Sequence, residues 1–219
     1  MKRTPVLLAA VALVASGLGH DAIAATKKKP APPKPVTMNW FLHGATANGN
    51  SDMLQGDTAY LPMDATAPSG ASVKEVLLFG AIASPNSECT AGPLLPSWTG
   101  TASGTLQGKV TVSFYARSTP GNAIVRVFNV NDGGCNDAYT PPVAEATVAL
   151  PTSPTASLVT VTLPVSRAAK LAGALTLQII EGQTSGFEGP QVSGVSYDST
   201  TTPSKITFTC LPKIGKKTC

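Results

Sequence analysis

The sequence predicts an all-β protein built as one antiparallel, jelly-roll-like β-sandwich of about eight or nine strands. Apolar and polar residues alternate with a period of two over short runs, which is typical of strands that bury one face. Glycine, proline, serine and threonine interrupt these runs, as they do in the turns between antiparallel strands. Roughly 175 of the residues carry this pattern, which is enough for one domain with its own core.

The strands are predicted in chain order. The first contains Trp40, which alternates with Met38 and Leu42 and is therefore assigned to the core. Four later runs alternate in the same way: KVTVSFYAR (109–117), AEATVALP (144–151), SLVTVTLP (157–164) and ALTLQIIEG (174–182). Two runs are apolar on both faces, as expected of central strands, namely VLLFGAI (76–82) and AIVRVFNV (123–130).

Turn signals separate these runs. They are STPGN (118–122), NDGG (131–134), TSP (152–154) and STTTP (199–203). One segment, SRAAKLAG (166–173), has the pattern of a helical turn or two that would end at Gly173.

The first 24 residues have the three parts of a secretory signal peptide. A basic start is followed by an apolar run over 5–18 and by small residues at Ala22 and Ala24. The run is short for a membrane span, and no later segment approaches one, so we expect an exported mature chain without a transmembrane segment.

Lysine-rich ends flank the predicted domain. Residues 25–37 are rich in lysine and proline and predict a flexible linker, residues 38–210 form the sandwich, and residues 211–219 form a basic tail closed by a disulfide. The two ends hold seven lysines and no acid, whereas the body has 7 basic and 11 acidic residues. A nucleic-acid-binding domain would concentrate basic residues on the folded part, so we exclude this class. The ends are either solvated or weakly attracted to anionic polymers.

Four cysteines follow the predicted signal peptide, and an even number in an exported protein indicates disulfides. Of the three connectivities we favour Cys210–Cys219 together with Cys89–Cys135. A zinc site is excluded because no C-x2-C pair is present and one histidine remains.

Three segments resemble the accessory jelly-roll domain of cocaine-esterase and X-prolyl dipeptidyl-peptidase type hydrolases. They begin SGTLQGKVTVSFYAR (103–117), LVTVTLPVSRAAKLAGALTLQI (158–179) and VSYDSTTTPSKITF (195–208). The pattern is also similar to galactose-binding-like sandwiches that occur as carbohydrate-binding modules. The resemblance implies a jelly roll. In those hydrolases the catalytic residues lie on a separate α/β domain, so it assigns no catalytic residue here.

Enzyme chemistry has few candidates. A serine hydrolase would need His43 as its base, but the sequence contains no Gly-x-Ser-x-Gly motif. We therefore expect His43 to be a strand-end residue that hydrogen-bonds a loop. A glycosidase would need paired carboxylates, and only Glu181 and Glu188 share a loop. A hydrolase that uses His43 or a loop glutamate is the third hypothesis, and we predict that the protein is not an enzyme.

Three aromatic residues in loop-like sequence are candidates for ligand binding: Trp98, Tyr139 and Phe187. An exposed aromatic ring stacks on a sugar or anchors a partner protein, although each ring would alternatively cap the core. Four aspartates are candidates for a structural calcium site, since hard cations take carboxylate oxygens: Asp52, Asp57, Asp64 and Asp198. No other cofactor is expected.

The leading hypothesis is therefore a secreted, non-catalytic sandwich at or near the cell envelope that binds a cell-wall or extracellular glycan, or a surface protein. The second is a structural envelope or matrix protein without a soluble ligand. The sequence leaves the oligomeric state open.

Overall fold

The computed structural model describes residues 31–44, 61–78, 97–118, 121–129, 141–165, 167–182 and 193–219. These residues contain ten strands and, within the described ranges, no helix. The strands are β1 (Val36–Leu42), β2 (Leu61–Asp64), β3 (Lys74–Leu77), β4 (Ser97–Ser118), β5 (Gly121–Phe128), β6 (Ala144–Leu150), β7 (Ser153–Pro164), β8 (Ala169–Gly182), β9 (Gly194–Tyr197) and β10 (Lys205–Leu211). The predicted all-β sandwich is confirmed, with ten described strands instead of eight or nine.

One hydrogen-bonded network joins all ten strands, in the order β10-β1-β2-β4-β8-β5-β6, with β3, β7 and β9 attached beside it. Every pairing is antiparallel except that of β2 with β4, where Leu61 lies opposite Trp98. Most of the strands fall into two groups, which β4 connects. The β8 half comprises β6, β5, β8 and the first part of β4. The β10 half comprises β1, β10, β7 and the second part of β4.

The 22-residue strand β4 belongs to both halves. Its first part pairs with β8 from Ser97 to Leu106. Its second part pairs with β10 on one side and with β7 on the other. Two glycines with positive φ, Gly104 and Gly108, lie where the strand passes from one half to the other. Glycine adopts this backbone conformation without the steric cost that a Cβ atom would impose.

The core lies on the inward faces of these strands. Trp40 contacts Phe208 edge-on with ring centroids 5.0 Å apart, and Trp98 contacts Tyr197 in the same way at 5.3 Å. The assignment of Trp40 to the core is therefore confirmed. Alternating residues of β4, β7 and β8 fill the space between, among them Val110, Val112, Phe114, Val161, Leu163, Leu175, Leu177 and Ile179. Each large apolar side chain that becomes buried contributes roughly 1.5–3 kcal/mol.

The prediction of a helical turn over 166–173 is wrong for the described residues of this segment. Residues from Ala169 onward are part of β8, with Ala169 opposite Leu106 and Lys170 opposite Thr105. Helix propensity in this alanine-containing segment is a weak preference, and pairing with β4 overrides it. The patterns also missed four strand regions: β2, β9, β10 and the first part of β4. The first two are four residues long, too short for a periodic signal.

The two ends of the domain lie together. β1 begins at Val36, within the predicted linker, and pairs there with Cys210 of β10. The predicted disulfide between Cys210 and Cys219 is present. The other predicted disulfide, Cys89–Cys135, lies outside the described residues. Within the described segments, we find no helix whose length and hydropathy would allow it to cross a membrane.

Replacing Gly104 tests the passage of β4 between the halves. An alanine methyl group there would overlap the carbonyl oxygen of Leu211 and would contact Sγ of Cys219 at 3.2 Å, with φ at +112°. Gly108 also has positive φ, but a methyl group there would meet no atom within 4 Å. We expect Gly104→Ala to lower the unfolding free energy by about 3 kcal/mol and Gly108→Ala by about 1 kcal/mol, measured by urea unfolding. Equal losses would show that the overlap with Leu211 has no effect.

Candidate functional site

A row of polar side chains crosses the β8 half on the side opposite to the core residues Leu175, Leu177 and Ile179. We call it the polar row, and its members are Glu145 of β6, Arg126 of β5, Gln178 of β8 and Ser97 of β4. They are directly opposite one another in the register of the strands: Glu145 faces Arg126, Arg126 faces Gln178, and Gln178 faces Ser97. Neighbouring strands are about 4.8 Å apart, so the row presents one polar group per strand at a regular spacing.

The polar row runs from the surface into a buried region. The side chain of Glu145 is 44% exposed and that of Arg126 is 12% exposed, and their Nε and Oε2 atoms are 2.6 Å apart. Gln178 and Ser97 are each only 5% exposed. Because the row carries one positive and one negative side chain that pair with each other, it has no net charge.

One atom of the polar row lacks a partner. The Nε2 group of Gln178 donates a hydrogen bond to Oγ of Ser97 at 3.4 Å. Its Oε1 atom is buried and accepts no hydrogen bond. Leaving a buried acceptor unsatisfied costs roughly 1–3 kcal/mol, so a group of this kind requires an explanation.

A second line of side chains borders the polar row on the same face, two residues along the strands. Phe128 of β5 lies opposite Thr176 of β8, and Thr176 lies opposite Thr99 of β4. The hydroxyl of Thr176 donates to the hydroxyl of Thr99 at 3.2 Å. Phe128 and Thr176 are buried. The face thus combines an aromatic ring with amide, hydroxyl, guanidinium and carboxylate groups.

The aromatic residues predicted to bind a ligand do not form a common site in the described part. Trp98 lacks the exposure that a ligand-binding ring needs: it lies in β4 and is 0% exposed, which agrees with the alternative that the ring covers the core. Its indole ring points into the core because β4 begins one residue earlier, at Ser97, and alternation directs Trp98 inward towards Tyr197. Tyr139 and Phe187 lie outside the described residues, and their role in binding stays a prediction.

The sequence offered a partial signal for the polar row. The strand AIVRVFNV was predicted as apolar on both faces, which hides the single Arg126 within it. Gln178 was correctly predicted to alternate with the buried residues of ALTLQIIEG. What the pattern could not give is the pairing of β5 with β8 and of β8 with β4, which aligns Arg126, Gln178 and Ser97.

A second cluster of polar groups surrounds His43 at the ends of four strands. His43 follows β1, and its Nδ1 donates to Oδ1 of Asp198, which follows β9, at 2.9 Å. The other oxygen of Asp198 accepts from the backbone N–H of Gly44 at 3.1 Å and lies 3.3 Å from Nζ of Lys74. The prediction that His43 is a strand-end residue bonded to a loop is confirmed.

The remaining ring nitrogen of His43 faces a carboxylate. Nε2 lies 3.3 Å from Oδ1 of Asp64, in a direction that does not make a hydrogen bond. A catalytic base in a serine triad would instead turn this nitrogen to a hydroxyl nucleophile. The contacts of the cluster join residues at the ends of β1 and β2, at the start of β3 and just after β9. Of the paired glutamates, Glu181 is in β8 and Glu188 lies outside the described residues.

The predicted calcium ligands are only partly described. Asp64 and Asp198 do lie near each other, on either side of His43. In the described part of the chain no group of three or more histidine, cysteine, aspartate or glutamate side chains is arranged to hold a metal ion. Asp52 and Asp57 are outside the described residues, so calcium binding stays a prediction.

Both aspartates of the His43 cluster have a lowered pKa. Burial opposes the ionisation of Asp198, but the hydrogen bonds from His43, Gly44 and Lys74 outweigh it, and the pKa lies below the ordinary value of 3.8. For Asp64 the main cause is the hydrogen bond from the backbone N–H of Thr66, at 2.6 Å, and the pKa is again below 3.8. Both side chains are therefore carboxylates at neutral pH.

No model of a protein family and none of the curated proteins matches this sequence. Solved structures do match the fold. The structure superimposes on an aminopeptidase from a marine-sediment Thaumarchaeota archaeon with a TM-score of 0.52 and 10% identity, over 81% of this chain and 37% of that chain. For a CocE/NonD family hydrolase from Staphylococcus aureus the values are 0.48, 10%, 82% and 37%. For a CBM4 structure they are 0.35, 16%, 75% and 86%.

The superposition on the aminopeptidase, with a TM-score of 0.52, supports the predicted sandwich at the level of the fold. The chain spans 37% of the length of the aminopeptidase and of the CocE/NonD hydrolase. We base the structural similarity on the aminopeptidase, since the other two TM-scores are below 0.5. At 10% identity the similarity shows the fold alone.

Replacing Asp198 tests the His43 cluster through pH. The folded state binds fewer protons than the unfolded state near the pKa of Asp198, so its contribution to stability is complete above pH 3.8 and is lost as the pH falls through the lower folded pKa. We expect Asp198→Asn to lose stability at neutral pH and to show a shallower fall of the unfolding free energy below pH 4. Asparagine tolerates the positive φ of 55° at this position.

The matched variant for this experiment is Asp64→Asn, which removes an aspartate that is 60% exposed and keeps Asp198 in place. It should retain most of the acid dependence of the parent protein. If Asp198→Asn and the parent lose stability with the same slope between pH 4 and pH 2, the assigned role of Asp198 is wrong.

Proposed function

We propose that this protein is an exported, non-catalytic module of the cell envelope that binds a neutral glycan along the polar row. The observation that carries this proposal is the buried, unsatisfied Oε1 atom of Gln178. Because this atom is buried in the free protein, the groups that cover it would have to shift before a sugar hydroxyl could donate to it, and that hydrogen bond would remove the cost of leaving it unpaired.

The charges of the polar row favour a neutral ligand. Arg126 and Glu145 neutralise each other, so an anionic polymer would find no uncompensated positive charge there. Sugar hydroxyls both donate and accept, and the row offers them both functions: a carboxylate and an amide oxygen accept, and guanidinium and amide N–H groups donate.

The gradient of exposure along the polar row favours the end of a glycan chain. Glu145 lies at the exposed end of the row and Gln178 at its buried end. A glycan would therefore enter from the side of β6, with its terminal sugar residue first. The ring of Phe128, beside the row, would contact the apolar face of that sugar.

Export and envelope location are supported by the signal-peptide pattern of residues 1–24 and by the Cys210–Cys219 disulfide, a bond that persists in oxidising compartments. The lysines of residues 25–37 would hold the domain near anionic envelope polymers through screened attraction, apart from the neutral site.

Thermal unfolding with a panel of oligosaccharides tests this function. A ligand that binds only the folded state raises the unfolding midpoint. We expect a rise with at least one neutral oligosaccharide and none with uronic-acid polymers of similar length. In Gln178→Leu we expect the affinity to fall by roughly tenfold or more, while the midpoint of the free protein stays the same or rises, because an unpaired buried oxygen is removed.

The matched control is Thr37→Val, which changes an exposed polar side chain of β1 in the other half of the sandwich and should leave the affinity unchanged. If no neutral glycan shifts the midpoint, the glycan-binding function is refuted, and a structural or protein-binding role in the envelope takes its place. A shift that Gln178→Leu leaves intact would refute the polar row as the site.

A further inference from the structure

Strand β7 forms one edge of the β10 half. Over its 12 residues it pairs with β4, and within the described segments no other strand hydrogen-bonds to its far side. Edge strands of soluble proteins are commonly protected by charged side chains, bulges or short length. The sequence of β7, SPTASLVTVTLP, contains no charged residue, and its register with β4 is regular from Ser157 to Pro164.

The alternation of hydrogen bonds identifies the backbone groups on the free side. Val165, next after β7, donates its N–H to the carbonyl of Gly108 at 3.0 Å. In an antiparallel pair every second residue bonds to the partner, so odd-numbered residues of β7 bond to β4 and even-numbered ones face away. The N–H of Tyr115 agrees with this, since it bonds to Ser204 on the opposite side of β4 from β7.

The N–H and C=O groups of Leu158, Thr160 and Thr162 therefore face the free edge. Pro164 also faces the free edge. Its lack of an N–H group therefore costs no hydrogen bond to β4. The two prolines of β7, at 154 and 164, bracket a stretch of exposed backbone without blocking its centre. Unpaired strand backbone of this kind is a template for another strand.

The residues of this stretch are complementary to themselves. We propose that β7 pairs antiparallel with β7 of a second copy of this chain, centred on Val161. In this register Thr160 lies opposite Thr162 of the other copy, Val159 lies opposite Leu163, and Leu158 lies opposite Pro164. Each pair joins two even-numbered or two odd-numbered residues. Side chains that point into the core therefore lie opposite core-facing side chains, and solvent-facing side chains lie opposite solvent-facing ones.

The outward pairs match contacts that β7 already makes with β4. Thr162 lies 3.4 Å from the hydroxyl of Thr111, and Thr160 lies 3.2 Å from the hydroxyl of Ser113. Thr160–Thr162 pairs across the dimer would extend both hydroxyl rows into the second copy. Cross-strand threonine pairs of this type stabilise sheets.

The proposed register also covers the exposed leucine of β7. Leu158 is 58% exposed, one of three large apolar side chains in the described part with such exposure. Opposite Pro164 of the second copy it would be covered by an apolar ring. The inward residues Val159, Val161 and Leu163 are already buried, so the sheet would continue without opening the core.

A second copy fits this edge better than an unrelated strand. Selective pairing between different chains commonly relies on opposite charges, and β7 has none to offer. Its symmetry about Val161 instead supplies the same two Thr–Thr pairs on both sides of a two-fold axis, which is the form of interface found in most protein dimers.

Light scattering during gel filtration of the purified, oxidised protein, over a range of concentrations, tests the dimer. We expect the mass of a dimer that dissociates on dilution. The double variant Thr160→Lys with Thr162→Lys places lysines opposite lysines twice, and the dissociation constant should rise at least roughly tenfold. The double variant Thr160→Lys with Thr162→Glu places lysine opposite glutamate twice, and dimerisation should be restored.

Thr37→Lys with Asn39→Lys is the matched control, since it adds two lysines to exposed positions of β1 on the same outward face, away from β7. It should dimerise like the parent. A monomer at every concentration, or partial loss in the control equal to that in the double-lysine variant, would overturn the proposal. Failure of the lysine–glutamate variant to recover would overturn the register, and a heterologous partner strand would then be sought.

Discussion

The fold depends on the ability of one strand, β4, to hydrogen-bond along two different sets of neighbours. Its first part holds β8, and through it β5 and β6, while its second part holds β10 and β7. The change of partners is made where Gly104 packs against the carbonyl of Leu211 and where Ser103 donates its N–H to the carbonyl of Cys219. The segment closed by the Cys210–Cys219 disulfide thus packs against β4 at the residues where this strand changes partners.

The polar row is a direct consequence of that pairing. Ser97 lies opposite Gln178 only because β4 and β8 are in the observed register, and Arg126 joins them through the register of β5 with β8. A shift by one residue would turn these side chains into the core and would bring Trp98 and Leu177 out. The burial of Trp98 and the alignment of the polar row therefore have one cause.

The His43 cluster consists of polar contacts between residues at strand ends. A histidine hydrogen-bonded to an aspartate is a familiar part of catalytic triads, but here the second nitrogen meets Asp64. The residues come from the ends of β1 and β2, the start of β3 and the position just after β9. The Lys74–Asp198 ion pair and the hydrogen bonds that Asp198 accepts from His43 and Gly44 join this corner of the domain.

The sequence by itself determined the fold class, most of the longer strands, the core position of Trp40, the strand-end role of His43 and the pairing of Cys210 with Cys219. These features follow from local alternation, turn residues and the short spacing of two cysteines. Only the tertiary structure decided the strand status of 169–173, the burial of Trp98 and the alignment of Glu145, Arg126, Gln178 and Ser97. Each depends on which strands lie side by side and in which register, and residues up to 81 positions apart in the chain, such as Ser97 and Gln178, carry no local signal of their contact.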